Sequence, residues 1–290
     1  MWYQLTIDNC PSETIESLSQ ELEDGGALSI TYSDRFDNPV LEPEPGTTPL
    51  WPEVVLQVLY AEEEQAREVQ ESLLLSHPQL IITLEIIADK DWERVWMDDF
   101  KPQRFGNRLW ICPTWSEPPE PSAVNLILDP GLAFGTGTHP TTSLCLTWLD
   151  QAQLVNKKLI DYGCGSGILS LAAVKLGAEK VYAVDIDPQA LQATQTNAKT
   201  NEITLNQLEI MSPEQLHHPV DFIIANILLT PLLSLKQRFW DLLHPEGQLI
   251  LSGILTEQAT ELVEHYSDGF LMSTHQTDKE WSLLVFNRKT

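Results

Sequence analysis

The chain has 290 residues, 42% of them hydrophobic, which suits one large domain or two ordinary ones with a buried core. Its 17 Lys and Arg against 42 Asp and Glu leave a net charge of −25, and residues 1–100 alone hold 22 acids against 4 bases. That balance repels nucleic-acid backbones and favours a basic partner, or does no more than keep the chain soluble. No apolar run approaches the roughly 18 residues of a membrane span, and the opening Met-Trp-Tyr-Gln-Leu is not a secretory leader. Cys10, Cys112, Cys145 and Cys164 are scattered without metal-like pairing. Reduced thiols in a cytoplasmic protein, with no metal site, are therefore expected.

In chain order, alternating apolar residues over Trp2–Ile7 predict a strand. Ser12 is placed to cap a helix over Glu13–Glu23 that ends at Gly25-Gly26. Ala27–Tyr32 reads as a second strand, Asn38–Pro52 as a proline-rich loop and Val54–Tyr60 as a third strand. A helix over Glu62–Leu75 and a strand over Leu80–Ile87 complete the set. The order β-α-β-β-α-β is ferredoxin-like and predicts, for residues 1–88, an antiparallel sheet with two helices on one face. Residues 89–122 break the pattern as a Trp-rich connector and linker. Trp92, Trp96 and Phe100 fall at i, i+4 and i+8, one face of a short helix. Stapling two domains together is its expected role, with shaping a substrate channel as the alternative. Pro118, Pro119 and Pro121 mark a loop.

Residues 123–290 alternate strand and helix. A strand enters a glycine turn at Tyr162, then come a helix over Ile168–Leu176, a strand over Val181–Val184 and a helix over Pro188–Lys199. Strands follow at Leu205–Ile210, Phe222–Ala225 and Gln248–Ser252, then a helix over Thr256–Tyr266 and a strand over Trp281–Phe286. This predicts an α/β, doubly wound, Rossmann-like sheet of about seven strands.

The glycine turn carries the chemistry. Gly163, Gly165 and Gly167 read G-x-G-x-G, whereas the dinucleotide fingerprint wants its third glycine at position 168, which is Ile. A nucleoside ligand without phosphates, such as S-adenosylmethionine, fits better than a pyrophosphate. Gly163 and Gly165 let the backbone approach that ligand, and Asp161 is placed to accept a hydrogen bond from its ammonium end or a bridging water. Cys164 has no base beside it in sequence and reads as a bystander. Asp185 ends the next strand 22 residues after Gly163, where a carboxylate accepts both ribose hydroxyls. NAD sites use the same acid, so Asp185 leaves the ligand open. Asp187 reads as a helix N-cap.

A second glycine-rich loop, Asp129 to Thr142, leads into a helix over Ser143–Leu149 with Thr141 or Thr142 as cap, and is placed to fold over the same site. His139, before a proline, reads as structural more than as a base. Asn226 ends the Phe222 strand facing the crevice. Its side-chain oxygen suits an incoming amine and its amide suits the cofactor, a turn role being the alternative.

Together, Asp91-Trp-Glu-Arg-Val-Trp-Met, Arg104-Phe-Gly-Asn-Arg-Leu-Trp-Ile-Cys-Pro, Leu132-Ala-Phe-Gly-Thr-Gly-Thr-His-Pro-Thr-Thr, Asp161-Tyr-Gly-Cys-Gly-Ser-Gly-Ile-Leu and Ala225-Asn-Ile-Leu resemble one family over almost the whole chain. These are the bacterial methyltransferases of ribosomal protein L-eleven of the large subunit. The resemblance implies a class I methyltransferase domain behind a substrate-recognition domain. It also implies S-adenosylmethionine held at Thr142, Gly163, Asp185 and Asn226, and methylation of amino groups on that basic ribosomal protein. Amine methyltransferases of planar nitrogens often follow the Asn with Pro-Pro and an aromatic; Ile227-Leu228-Leu229 follows it in this chain. The departure agrees with a flexible lysine or N-terminal amine. No general base is evident, so positioning and desolvation are expected to dominate, with Asn226 orienting the amine. An RNA methyltransferase of the same fold is disfavoured by the charge, and a nicotinamide-dependent dehydrogenase by Ile168.

Overall fold

The structure, a computed structural model, describes residues 1–36, 49–88, 100–129 and 139–289. The chain divides into two compact units, Met1–Val95 and Trp96–Thr290.

The first unit contains β1 (Trp2–Pro11), α1 (Ile15–Asp24), β2 (Ser29–Asp34), β3 (Glu53–Tyr60), α2 (Glu63–Ser76) and β4 (Ile81–Ile87). The strands form an antiparallel sheet in the order β2-β3-β1-β4. Alternation along β1 and β3 sends Leu5, Ile7, Val54, Leu56, Val58 and Tyr60 to one face. Leu18 and Leu22 of α1 and Ala66 and Leu73 of α2 meet them there in a single core, so both helices cover that face. Ser12 does not cap α1. Its N–H donates to Pro52 O at 3.2 Å, which extends the β1 pairing, and a 3-10 turn over Ser12–Thr14 delays the helix start from Glu13 to Ile15. Most of the expected loop at 38–52, and Trp92 and Trp96 of the expected connector helix, lie outside the described residues.

The second unit opens with a small sheet, two of whose three strands lie in the segment that sequence reading took for linker. It contains β5 (Gln103–Phe105), β6 (Leu109–Cys112) and β7 (Val124–Ile127), with Phe105, Leu109, Ile111 and Leu126 buried in the larger core. Two side chains tie it down. Asn201 pairs with the backbone of Ile127 as a neighbouring strand would, accepting from its N–H at 2.8 Å and donating to its carbonyl at 2.7 Å. Asp150 is buried and accepts from Asn107 N at 2.6 Å and Arg108 N at 3.1 Å in the β5–β6 turn. Gly106 makes that approach possible: at φ +63° it has no side chain, and a Cβ would lie 2.3 Å from the Asp150 carboxylate. Asp150→Ala leaves both donors without their charged acceptor. It is expected to lower unfolding free energy by about 2 kcal/mol in denaturant titration.

The rest comprises α3 (Pro140–Gln151), β8 (Lys158–Tyr162), α4 (Ile168–Lys175), β9 (Lys180–Val184), α5 (Pro188–Thr200), β10 (Leu208–Met211), β11 (Val220–Asn226), α6 (Leu229–Leu242), β12 (Leu243–Leu255), α7 (Ala259–Tyr266), β13 (Phe270–Asp278) and β14 (Trp281–Arg288). They form a seven-stranded sheet in the order β10-β9-β8-β11-β12-β14-β13, parallel as far as β12, with β14 antiparallel to both neighbours. Apolar clusters cover both faces. The chain leaves β8 toward β9 and β10, then returns to the other side as β11. The loops after β8 and β11 therefore diverge and open a crevice at their C-terminal ends, where α/β sheets bind ligands. No described helix is long and apolar enough to cross a membrane.

Candidate functional site

A cavity of about 490 Å³ fills that crevice, in the range of small-molecule sites. It is lined by Thr142, Gly163, Gly165, Asp185 and Asn226, the residues singled out from sequence, together with Tyr162, Cys164, Ile168, Leu169, Ile186, Ile227, Pro231, Ser234 and Leu235. No lysine or arginine is among these described lining residues, so none of them neutralises a phosphate.

The floor is the glycine turn. Gly163, Gly165 and Gly167 all have positive φ, at +83°, +54° and +81°. A Cβ on Gly163 would sit 2.4 Å from Ile227 Cγ2, and one on Gly167 2.7 Å from Thr194 Cγ2. The glycines thus serve two packing contacts as well as backbone shape. The Gly165 N–H is already used, donating to Asp185 Oδ2 at 2.9 Å, and Asp185 Oδ1 accepts from Asp187 N at 3.0 Å. The Asp185 carboxylate is therefore fixed by backbone donors, and each oxygen keeps a second lone pair for a ligand hydroxyl. Asp187 caps α5, accepting from Gln189 N at 2.9 Å.

The wall on the α3 side differs from expectation in its cap. His139, not Thr141 or Thr142, caps α3: its Nδ1 accepts from Thr141 N at 3.3 Å, and its ring stands edge-on to Trp281 at 4.8 Å. Burial lowers its pKa, which keeps the imidazole neutral and able to accept that bond. With Nδ1 committed to the cap, His139 reads as structural. Thr142 is consequently left to face β11, where Asn226 Nδ2 donates to its Oγ1 at 3.3 Å. The side-chain oxygen of Asn226 has no partner among the described residues. Residues 130–138 of the second glycine-rich loop lie outside the described residues.

Asp161 does not line the cavity, contrary to the expected ligand contact. It is fully buried beneath the turn, where Oδ2 accepts from Ser170 N at 2.9 Å and Ser170 Oγ at 2.7 Å. Its Oδ1 has no partner among the described residues. Burial raises its pKa to about 7 against the lowering by the two Ser170 bonds, and Asp185 pushes the same way. An unfolded aspartate titrates near 3.9, so between about pH 4 and 7 the folded chain holds a proton that the unfolded chain has lost. The resulting stabilisation is full below about pH 4 and lost as pH rises through about 7. Asp161→Asn cannot ionise, so its melting temperature is expected to gain on the wild type as cofactor-free protein is taken from pH 5 to pH 8. A difference that stays constant with pH would show that the ionisation is without effect.

Burial pushes the Cys164 thiol up, and it lies 3.4 Å from Thr194 Oγ1, an inert setting. The residues that sequence reading missed are Tyr162, Ile186, Ile227 and the α6 face formed by Pro231, Ser234 and Leu235. The available signal was the amphipathic run Leu229–Leu242, interrupted in appearance by Pro231. That proline sits in the first turn, where its missing N–H costs nothing. Mostly apolar walls, one fixed carboxylate and one amide–hydroxyl pair suit a nucleoside with an uncharged sugar and a small polar reacting group.

The chain matches the family described as ribosomal protein L11 methyltransferase (PrmA) over residues 1–289. It is 64% identical to the ribosomal protein L11 methyltransferase of Legionella pneumophila strain Lens over 289 residues, all of both chains. It is 47% identical to the protein of that name from Nitrosococcus oceani, over 99% of each. Among solved structures it resembles the ribosomal protein L11 methylase of Lactobacillus delbrueckii subsp. bulgaricus, with TM-score 0.61 and 31% identity, over 66% of this chain and 100% of that one.

Proposed function

The chain belongs to the ribosomal protein L11 methyltransferase family, whose members are S-adenosylmethionine-dependent enzymes, and on that premise we propose that it methylates lysine side-chain and N-terminal amines of ribosomal protein L11. The observation that carries this reading is one cavity that joins a doubly anchored carboxylate, Asp185, to the Asn226–Thr142 pair, with no lysine or arginine among its described lining residues. The residues fit the cofactor. Asp185 offers two lone pairs to a ribose, and the glycines clear the floor. Bound there, S-adenosylmethionine supplies an electrophilic methyl on a sulfonium.

The chain's own groups do the rest. The apolar walls strip water from an entering amine. A lysine amine, with pKa near 10.4 in water, is driven toward its neutral, nucleophilic form by that desolvation. Asn226 Oδ1 accepts one amine N–H and aims the lone pair, while the bond from Nδ2 to Thr142 fixes which side of the amide is the acceptor. We assign substrate docking to residues 1–88. They carry 17 acidic residues against Arg35 and Arg67, and both arginines are already engaged, by Asp8 and Glu53 and by Glu63. The surface left over is anionic and suits a basic ribosomal protein. The test is mass spectrometry of L11 after incubation with enzyme and isotope-labelled S-adenosylmethionine. Label on lysine or N-terminal amines is expected; label on ribosomal RNA alone would overturn the reading.

A further inference from the structure

An edge strand presents unpaired backbone groups, and folded proteins blunt such edges with short length, charge, proline or a bulge. In the two larger sheets the outer strands are β2, β4, β10 and β13. Three of them carry such a device. The β10 strand has four residues, β13 breaks register between Met272 and Thr274, and β2, Ser-Ile-Thr-Tyr-Ser-Asp, is short, polar and ends in an acid.

The fourth, β4, differs. Its sequence Ile-Ile-Thr-Leu-Glu-Ile-Ile has one charge, Glu85, but no proline, lysine, glycine or bulge, and its pairing with β1 runs without a break over seven residues, from Ile81 opposite Asp8 to Ile87 opposite Trp2. Ile81 and Ile86 are 55% and 61% exposed, so more than half of each is open to a partner. Ile82 O accepts from Gln70 Nε2 at 3.1 Å, which marks it as pointing away from β1. The alternation of an antiparallel ladder then turns the N–H and C=O of Leu84 and Ile86 outward as well. This edge is a seven-residue template for one more strand.

Charge selects the occupant. A second copy of the chain would bring two regions of 17 acids and two arginines together, which opposes self-pairing along this edge. A polyanion is repelled for the same reason. We propose that β4 docks an extended segment of the basic protein substrate by strand addition, with backbone hydrogen bonds at Leu84 and Ile86 and the anionic surface holding the segment's cations. This inference rests on the functional reading above and adds the mode of recognition.

The test uses the full chain and purified ribosomal protein L11, without cofactor. Backbone amide exchange at Leu84 and Ile86 is expected to slow by about tenfold or more in the complex, as for amides entering a ladder. Thr83→Lys with Glu85→Lys places two lysines on the exposed edge. This double variant is expected to raise KM for L11 by about tenfold with kcat within about twofold and S-adenosylmethionine affinity unchanged. Methylation of L11 by a preparation whose Leu84 and Ile86 amides exchange at the free rate would overturn strand addition and leave the functional reading intact. A dimer in sedimentation that the double variant dissolves would assign the edge to a second copy instead. Failure to methylate L11 at all would overturn both readings.

Discussion

Asp185→Ala is expected to weaken S-adenosylmethionine binding by about a hundredfold or more in calorimetric titration. Hydrogen bonds to an ionised acceptor each contribute about 1.5–3 kcal/mol, and a carboxylate that meets two ribose hydroxyls makes two of them. The loss goes further than those bonds. Asp185 also receives Gly165 N and Asp187 N, so its removal releases the glycine turn and the lead into α5 at once. Asp185→Asn separates these contributions: one amide oxygen still accepts a backbone N–H, but the charge and one acceptor face are gone. Its affinity is expected to fall between the wild type and Asp185→Ala. Wild-type affinity in the alanine variant would remove Asp185 from the binding site.

Asp185 was legible in sequence because its role depends on position along a strand, and strand ends near a glycine turn are a one-dimensional signal. The same holds for Gly163 and Asn226, which lie at the ends of β8 and β11. Asp161 shows the limit of that signal. It sits beside the same turn, yet the alternation of β8 points it toward α4, where Ser170, nine positions on, takes it up. Which face a residue takes, and what waits there, depends on packing that spacing alone does not encode. The α3 cap is a related case: threonine is the stronger capping residue by preference, but His139 reaches Thr141 N because Trp281, far along the chain, packs against its ring. The α6 wall was hidden by Pro231, and β13 by its polar run Ser273–Thr277, which shows no apolar alternation because none of those residues is buried on either side of the edge strand. The small β5–β7 sheet was hidden by its brevity, its strands being held in place by side chains of distant residues, Asp150 and Asn201.

Asn226→Ala is expected to lower kcat by about a hundredfold while changing S-adenosylmethionine affinity far less. Misplacing a reacting atom by about 1 Å costs on the order of a hundredfold in rate, and Asn226 Oδ1 is an acceptor in the cavity lining whose direction is fixed by the bond from Nδ2 to Thr142. Asp185 and Ser234 also offer acceptors, but the Asp185 oxygens are turned to the glycine turn and the start of α5, and Ser234 Oγ is held to Pro231 O at 2.8 Å. Asn226→Asp is the informative companion. It keeps shape and acceptor, adds a negative charge that holds the amine protonated, and removes the donor to Thr142. Its rate is expected to stay low at neutral pH and to recover partly as pH rises and the amine loses its proton. Thr142→Val removes only the acceptor for Nδ2, so the amide is free to turn over. A loss of about twofold, far smaller than for Asn226→Ala, is expected, since half the orientations still present oxygen to the amine. If turnover of Asn226→Ala matched the wild type, desolvation alone would account for the reaction, and the amide would be left with packing against Thr142.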